Sequence, residues 1–145
     1  MVDHTSLVSA VRALARATRV IERSSEGVSF ADYRVMSAIE AGEERASRLA
    51  HRLAVGKPTI SATVDSLHKR GLILRNSVEG DARATSLALT SEGHELLVTM
   101  EERMVQKLAL LAERTDDPEG VVTALGSLGD AIEQVMQEQS PKATA

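Results

Sequence analysis

Residues 46–75, Ala46-Ser-Arg-Leu-Ala-His-Arg-Leu-Ala-Val-Gly-Lys-Pro-Thr-Ile-Ser-Ala-Thr-Val-Asp-Ser-Leu-His-Lys-Arg-Gly-Leu-Ile-Leu-Arg75, decide the fold. Leu49, Ala50 and Leu53 fall on one face of a short helix over 46–53. Ile60, Val64 and Leu67 do the same for a second helix that starts near Lys57-Pro58 and ends before Gly71. Proline is tolerated at that start because first-turn N–H groups have no intrahelical partner. Ala54-Val55-Gly56 makes the tight turn between the two. Gly71 suits a left-handed cap, and Lys69 and Arg70 sit at the negative end of the helix. Leu72–Arg75 and Ala84–Leu89 then read as short strands around a polar loop over 76–83. This order predicts a winged helix-turn-helix, a mainly α fold with a small β-ribbon. Such a module places its second helix in a DNA major groove and its β-loop alongside.

Outward from this centre, Thr5 or Ser6 can cap a first helix reaching about Arg23, with Leu7, Val8, Val11, Leu14, Thr18 and Ile21 as its apolar stripe. Ser29 caps a second helix over 30–41, and Asp32 sits in its first turn, where the helix dipole favours an acid. Thr90 or Ser91 caps a fifth helix with the stripe Leu97, Met100, Met104, Leu108 and Leu111. Pro118 opens a sixth, carrying Val121, Val122, Leu125, Leu128, Ile132 and Val135 or Met136. The expected divisions are an N-terminal dimerisation helix (1–28), a winged helix-turn-helix (29–90), C-terminal dimerisation helices (91–139) and a frayed tail (140–145). The central module is too small to cover the long apolar faces at both chain ends. A homodimer interlocking these helices is expected, with a closed monomeric bundle as the alternative.

Composition narrows the function classes. With one Phe, one Tyr and no Trp, the core must be aliphatic, which favours helix-on-helix packing. The absence of cysteine excludes disulfides and thiolate metal sites. No apolar run approaches the ~20 residues of a membrane span, and Met1-Val-Asp-His4 does not resemble a signal peptide, so a cytoplasmic protein with no membrane partner is expected. The net charge of −4 hides an asymmetry: Arg45 to Arg83 contains eight basic and three acidic residues, and the remainder nine and eighteen. Only the docking face need be positive for steering onto phosphate. No nucleophile motif, phosphate-cradling loop or metal-ligand spacing is present, so neither enzyme activity, catalytic residues, cofactor nor metal is expected.

Together these segments resemble the MarR (multiple antibiotic resistance regulator) family of transcriptional regulators. The resemblance runs from about Val28 to Leu97. It is carried by Ser29-Phe-Ala-Asp-Tyr-Arg-Val-Met36, Arg48-Leu-Ala-His-Arg-Leu-Ala-Val55, Thr59 to Arg75, the wing's Asp81-Ala-Arg83 and Leu89-Thr-Ser-Glu-Gly93. Each piece is weak alone, and the ordered set is specific. The resemblance implies an obligate dimer of four helices, two strands and two helices, often with a small extra strand before the third helix. Three departures stand out. Ala82 occupies a position that is commonly basic, Gly56 one that is commonly serine, and Pro58 removes an N–H from the start of the recognition helix.

The expected DNA-binding residues follow from this placement. Lys57, with Pro58 beside it, can approach a phosphate or a guanine edge. Thr59, Ser61 and Thr63 can bond phosphates or base edges, and Ala62 can touch a thymine methyl. Asp65 either accepts from cytosine N4 or pairs with a nearby arginine, the second being favoured. Lys69 and Arg75 are positioning charges; Arg45, Arg48 and Arg52 can simply be solvated. Arg83 resembles the wing arginine of the family that enters the minor groove, with Asp81 holding its guanidinium; a plain salt bridge stiffening the loop is the alternative. The resemblance further implies release from DNA by a small anionic or phenolic effector bound between the dimer region and the winged domain. Its candidate walls are Phe30, Tyr33, Arg16 or Arg19, and Met100 or Met104. Double-stranded DNA at a pseudo-palindromic site, a homodimer partner and this effector are thus the expected partners of a repressor. The competing reading is a winged dimer that acts through protein contacts.

Overall fold

The computed structural model describes residues 1–25, 28–43, 45–78 and 81–139, and the element order is α1 (His4–Ser24), α2 (Phe30–Glu40), α3 (Ala46–Arg52), α4 (Lys57–Lys69), β1 (Ile73–Val78), β2 (Asp81–Leu89), α5 (Ser91–Ala112) and α6 (Pro118–Gln139). This is a winged helix-turn-helix flanked by long helices. The expected frayed tail at 140–145 lies outside the described residues, as does Gly27 of the first connection.

Two helix starts follow the sequence reading and one corrects it. Ser29 accepts a hydrogen bond from the Asp32 N–H, and Thr90 accepts one from the Gly93 N–H. The cap of α1 is Asp3, not Thr5 or Ser6: its carboxylate accepts from both the N–H and the hydroxyl of Ser6, at 3.0 and 2.6 Å. Ser6 is therefore a donor within the cap. An ionised carboxylate at that position also meets the positive end of the helix, which a hydroxyl cannot match.

The core sits under the winged module. Val35, Met36 and Ile39 of α2, Leu49 of α3, Ile60, Val64 and Leu67 of α4, Ile73 and Leu87 of the ribbon, and Leu97 of α5 are all buried together. Met36, Leu49 and Leu67 are fully enclosed, as expected for an aliphatic core. A second cluster of Val28, Met100 and Met104 packs α5 beside Phe30 and Tyr33. Farther along α5 the stripe rotates: Leu111 is exposed and Ala112 is buried in its place.

The ribbon is antiparallel, pairing Ile73 with Leu89 and Arg75 with Leu87, and its register shifts between Ser77 and Val78. Both strands run further than the alternation over 72–75 and 84–89 indicates, because backbone ladder bonds continue into polar sequence where no face needs burying. Arg45 forms an isolated bridge to Ser86, a one-residue contact where the resemblance implies a small extra strand, and the described sheet has two strands.

At the far ends the pattern reverses. Neither α1 nor α6 buries a single residue within the chain. Val11 is 65% exposed and Ile132 54%, so most of both expected stripes lies open, while Ile21 at the end of α1 packs against the second cluster. Among the described residues, no helix is long and apolar enough to cross a membrane.

Candidate nucleic-acid interface

The turn before α4 carries its strain at Ala54, whose φ of 51° is left-handed, while Gly56 stays extended at φ −60° and caps α4 without a side-chain bond. Pro58 lies in the first turn, as its missing N–H allows. Burial of Ile60, Val64 and Leu67 then fixes the rotation of the helix about its axis. Lys57, Pro58, Thr59, Ser61, Ala62, Asp65 and Lys69 are exposed, and Thr63 is half-buried. The sequence-derived DNA-facing set therefore shares one open side of α4. One member is chemically limited. The Thr63 hydroxyl donates to the Thr59 carbonyl at 3.0 Å, so its proton is not free for a phosphate oxygen.

Asp65 and Arg75 are joined by an ion pair between α4 and β1. The Arg75 guanidinium, through its hydrogen bond and then its charge, holds the Asp65 carboxyl below the usual carboxylate range. The pairing alternative for Asp65 thus describes the free protein, and it occupies the side chain expected to position DNA at Arg75. Arg70 at the end of α4 pairs with Asp32 of α2 at 2.9 Å, a tie that locates α4 on its neighbour. The spacing of 38 residues hid this tie from any local reading. Asp81 and Arg83 lie along β2, and their side chains are outside what the structure describes; Glu79 and Gly80 of the expected loop lie outside the described residues altogether.

The predicted effector walls come together only in part. Ile21, Phe30, Tyr33, Glu101, Met104 and Leu108 line a cleft of about 400 Å³ between α1, α2 and α5, with Val105 beside them. Phe30, Tyr33 and Met104 are where the sequence put them. Met100 is buried in the adjoining apolar cluster and does not line the cleft. Arg16 and Arg19 do not line it either: the stripe that seats α1 turns its arginines aside, and Arg19 pairs with Glu22 at 3.1 Å. In their place stands Glu101, whose carboxylate accepts a hydrogen bond from the Tyr33 hydroxyl at 3.2 Å. Burial, followed by the Glu101 charge, raises the Tyr33 pKa above its ordinary 10.0. The missed signal is spacing: of the two acids between Met100 and Met104, Glu101 follows Leu97 by four residues and so falls on the apolar face of α5. A second cleft of about 600 Å³ lies between α3 and the far end of α6, spanned by an Arg52–Glu133 pair at 3.5 Å. Arg52 is thus tied rather than simply solvated.

Residues 26–84 match the family model of the MarR family. Among solved structures, the chain is similar to a MarR family transcription regulator at 24% identity and a TM-score of 0.73, over 96% of this chain and 93% of that one. It is similar to the transcriptional regulator MosR of M. tuberculosis, solved in complex with DNA, at 21% identity and TM-score 0.65, over 89% and 96% of the two chains. It is also similar to the transcriptional repressor CouR bound to a 23-mer DNA duplex, at 23% identity and TM-score 0.69, over 83% and 89%. At these identities the likeness is one of fold.

Proposed function

We propose that this chain, whose residues 26–84 match the MarR family model, is a MarR-type regulator: a homodimeric DNA-binding protein that represses from a pseudo-palindromic site and is released by a small molecule. The observation that carries the reading is the open side of α4. It presents Lys57, Thr59, Ser61 and Ala62 together, and the one acid among them, Asp65, is already paired with Arg75. Donors, a cation and a methyl group on one helix face are what base edges and phosphates require. DNA complexes of similar folds, one of them a repressor, support the same assignment. The open stripes of α1 and α6 support the dimer, because apolar faces of that length are normally covered. The cleft beside Tyr33 is the effector site of this reading, reached from both the dimer helices and the winged domain.

Fluorescence anisotropy of the purified protein on the DNA upstream of its own gene, with competitor DNA present, tests the assignment. Saturation at one dimer per site with a steep loss of affinity in salt is expected. Arg83→Ala should weaken that binding by about 1–3 kcal/mol if the wing enters a groove. Affinity unchanged by Arg83→Ala and equal on random DNA would favour the winged dimer that acts through protein contacts.

A further inference from the structure

We infer that the cleft between α1, α2 and α5 selects a lipophilic cation, with Glu101 as the residue that reads its charge. This rests on the reading of the cleft as the effector site, and it departs from the anionic or phenolic ligand class that the sequence resemblance implies. Among the described residues the walls are hydrocarbon and aromatic, and Glu101 is the one charged side chain that lines the cleft. That carboxylate is half-buried, and its hydrogen bond comes from a neutral phenol, Tyr33, at 3.2 Å. Among the described residues no ion pair joins Glu101 to a lysine, arginine or histidine within 4.0 Å. The neighbouring acid contrasts with it: Glu22 is held by Arg19 at 3.1 Å and by the Phe30 N–H at 3.2 Å.

An anion entering this cleft would meet an uncompensated carboxylate in apolar surroundings, where like charges repel more strongly than in water. A cation would gain that carboxylate together with the faces of Phe30 and Tyr33, whose centroids lie 6.1 Å apart. The Arg34 guanidinium already lies over the Phe30 ring, 5.6 Å from its centroid, so that ring accepts a cation on one face and Tyr33 supplies the other aromatic wall. The Tyr33–Glu101 hydrogen bond also joins α2 of the winged module to α5 of the dimerisation region. A ligand that draws Glu101 toward itself loosens that joint, so cation binding and DNA binding are linked through one bond.

Tyr33 is the only tyrosine and the chain lacks tryptophan, so intrinsic fluorescence reports from the cleft itself. The test titrates the full chain with octyltrimethylammonium and with octanesulfonate, which share a tail, carry opposite heads and leave the tyrosine signal undisturbed. The cation is expected to bind at least about tenfold more tightly, and Glu101→Gln, which keeps an acceptor for Tyr33, should remove about that factor. Equal affinities, a preference for the sulfonate, or no binding of either would overturn the inference. The wild-type comparison stands even if the variant folds poorly. Anisotropy on bound DNA separates the two layers. Selective cation binding that leaves DNA affinity unchanged would uphold the charge selection and refute the effector reading.

Discussion

At the scale of single residues, the polar ties of this protein are few and specific, so each makes a distinct prediction. Tyr33 is raised above its ordinary 10.0, which means the folded state holds the phenolic proton more tightly than the unfolded chain does. The associated stability is fully present below pH 10.0 and is lost as pH rises through the higher folded value. Ultraviolet titration of this lone tyrosine should give a midpoint above 10.0, lowered but not fully restored in Glu101→Gln, since burial is the larger cause. A midpoint unmoved by the variant would deny the tie. Asp65 has the opposite sign. Its carboxyl is depressed by Arg75, so its contribution is present above the unfolded value of 3.8 and is lost as pH falls through the folded one. Asp65→Asn takes a negative charge off the proposed DNA face and releases Arg75. Binding to any duplex should tighten, and the log–log salt slope should steepen by about one phosphate contact. An unchanged slope would place Arg75 away from DNA.

At the scale of elements, the junctions carry the fold. The Thr90 hydroxyl donates to the Gly71 carbonyl at 2.7 Å, and the Thr90 N–H donates to the Leu72 carbonyl at 3.1 Å, so one residue pins the exit of the ribbon to its start. Gly93 then passes the same strand so closely that an added Cβ would lie 2.0 Å from the Leu72 oxygen. Gly93→Ala should therefore cost about 1–3 kcal/mol or more in urea unfolding, because backbone rather than a mobile side chain must yield. Ala54 offers the converse case. Its left-handed backbone suits glycine, and Ala54→Gly should stabilise the chain by about 1 kcal/mol. The sequence made α2 through α5 legible because burial at spacings of three and four, Ser29 and Thr90 all act over a few residues. It could not show that Ala54 rather than Gly56 bends left-handed, since the choice depends on how α3 and α4 pack. Nor could it reveal Arg70 on Asp32 or Glu101 on Tyr33, which meet only after distant helices are brought together. The resemblance led to arginines in the cleft, and the rotation of α1 put an acid from α5 there instead.

At the scale of the whole molecule, the chain has an enclosed core beneath the winged module and two long helices that bury nothing of their own. The proposed dimer resolves this by covering α1 and α6 with their counterparts, so stability and DNA reading share one interface. Sedimentation equilibrium should give twice the 15.5 kDa of the chain. Leu14→Glu or Leu128→Glu should lower that mass toward the monomer and weaken operator binding far more than any single contact on α4. A two-fold dimer also fixes how DNA is read, since each α4 must meet its own half-site about one helical turn, ~34–36 Å, from the other. Selection of bound duplexes from a random DNA pool, followed by sequencing, tests this most directly. The account predicts enrichment of two inverted half-sites at one-turn spacing, each duplex bound by a single dimer and released by salt. Recovered sequences with no shared motif, bound no more tightly than the starting pool, would contradict it.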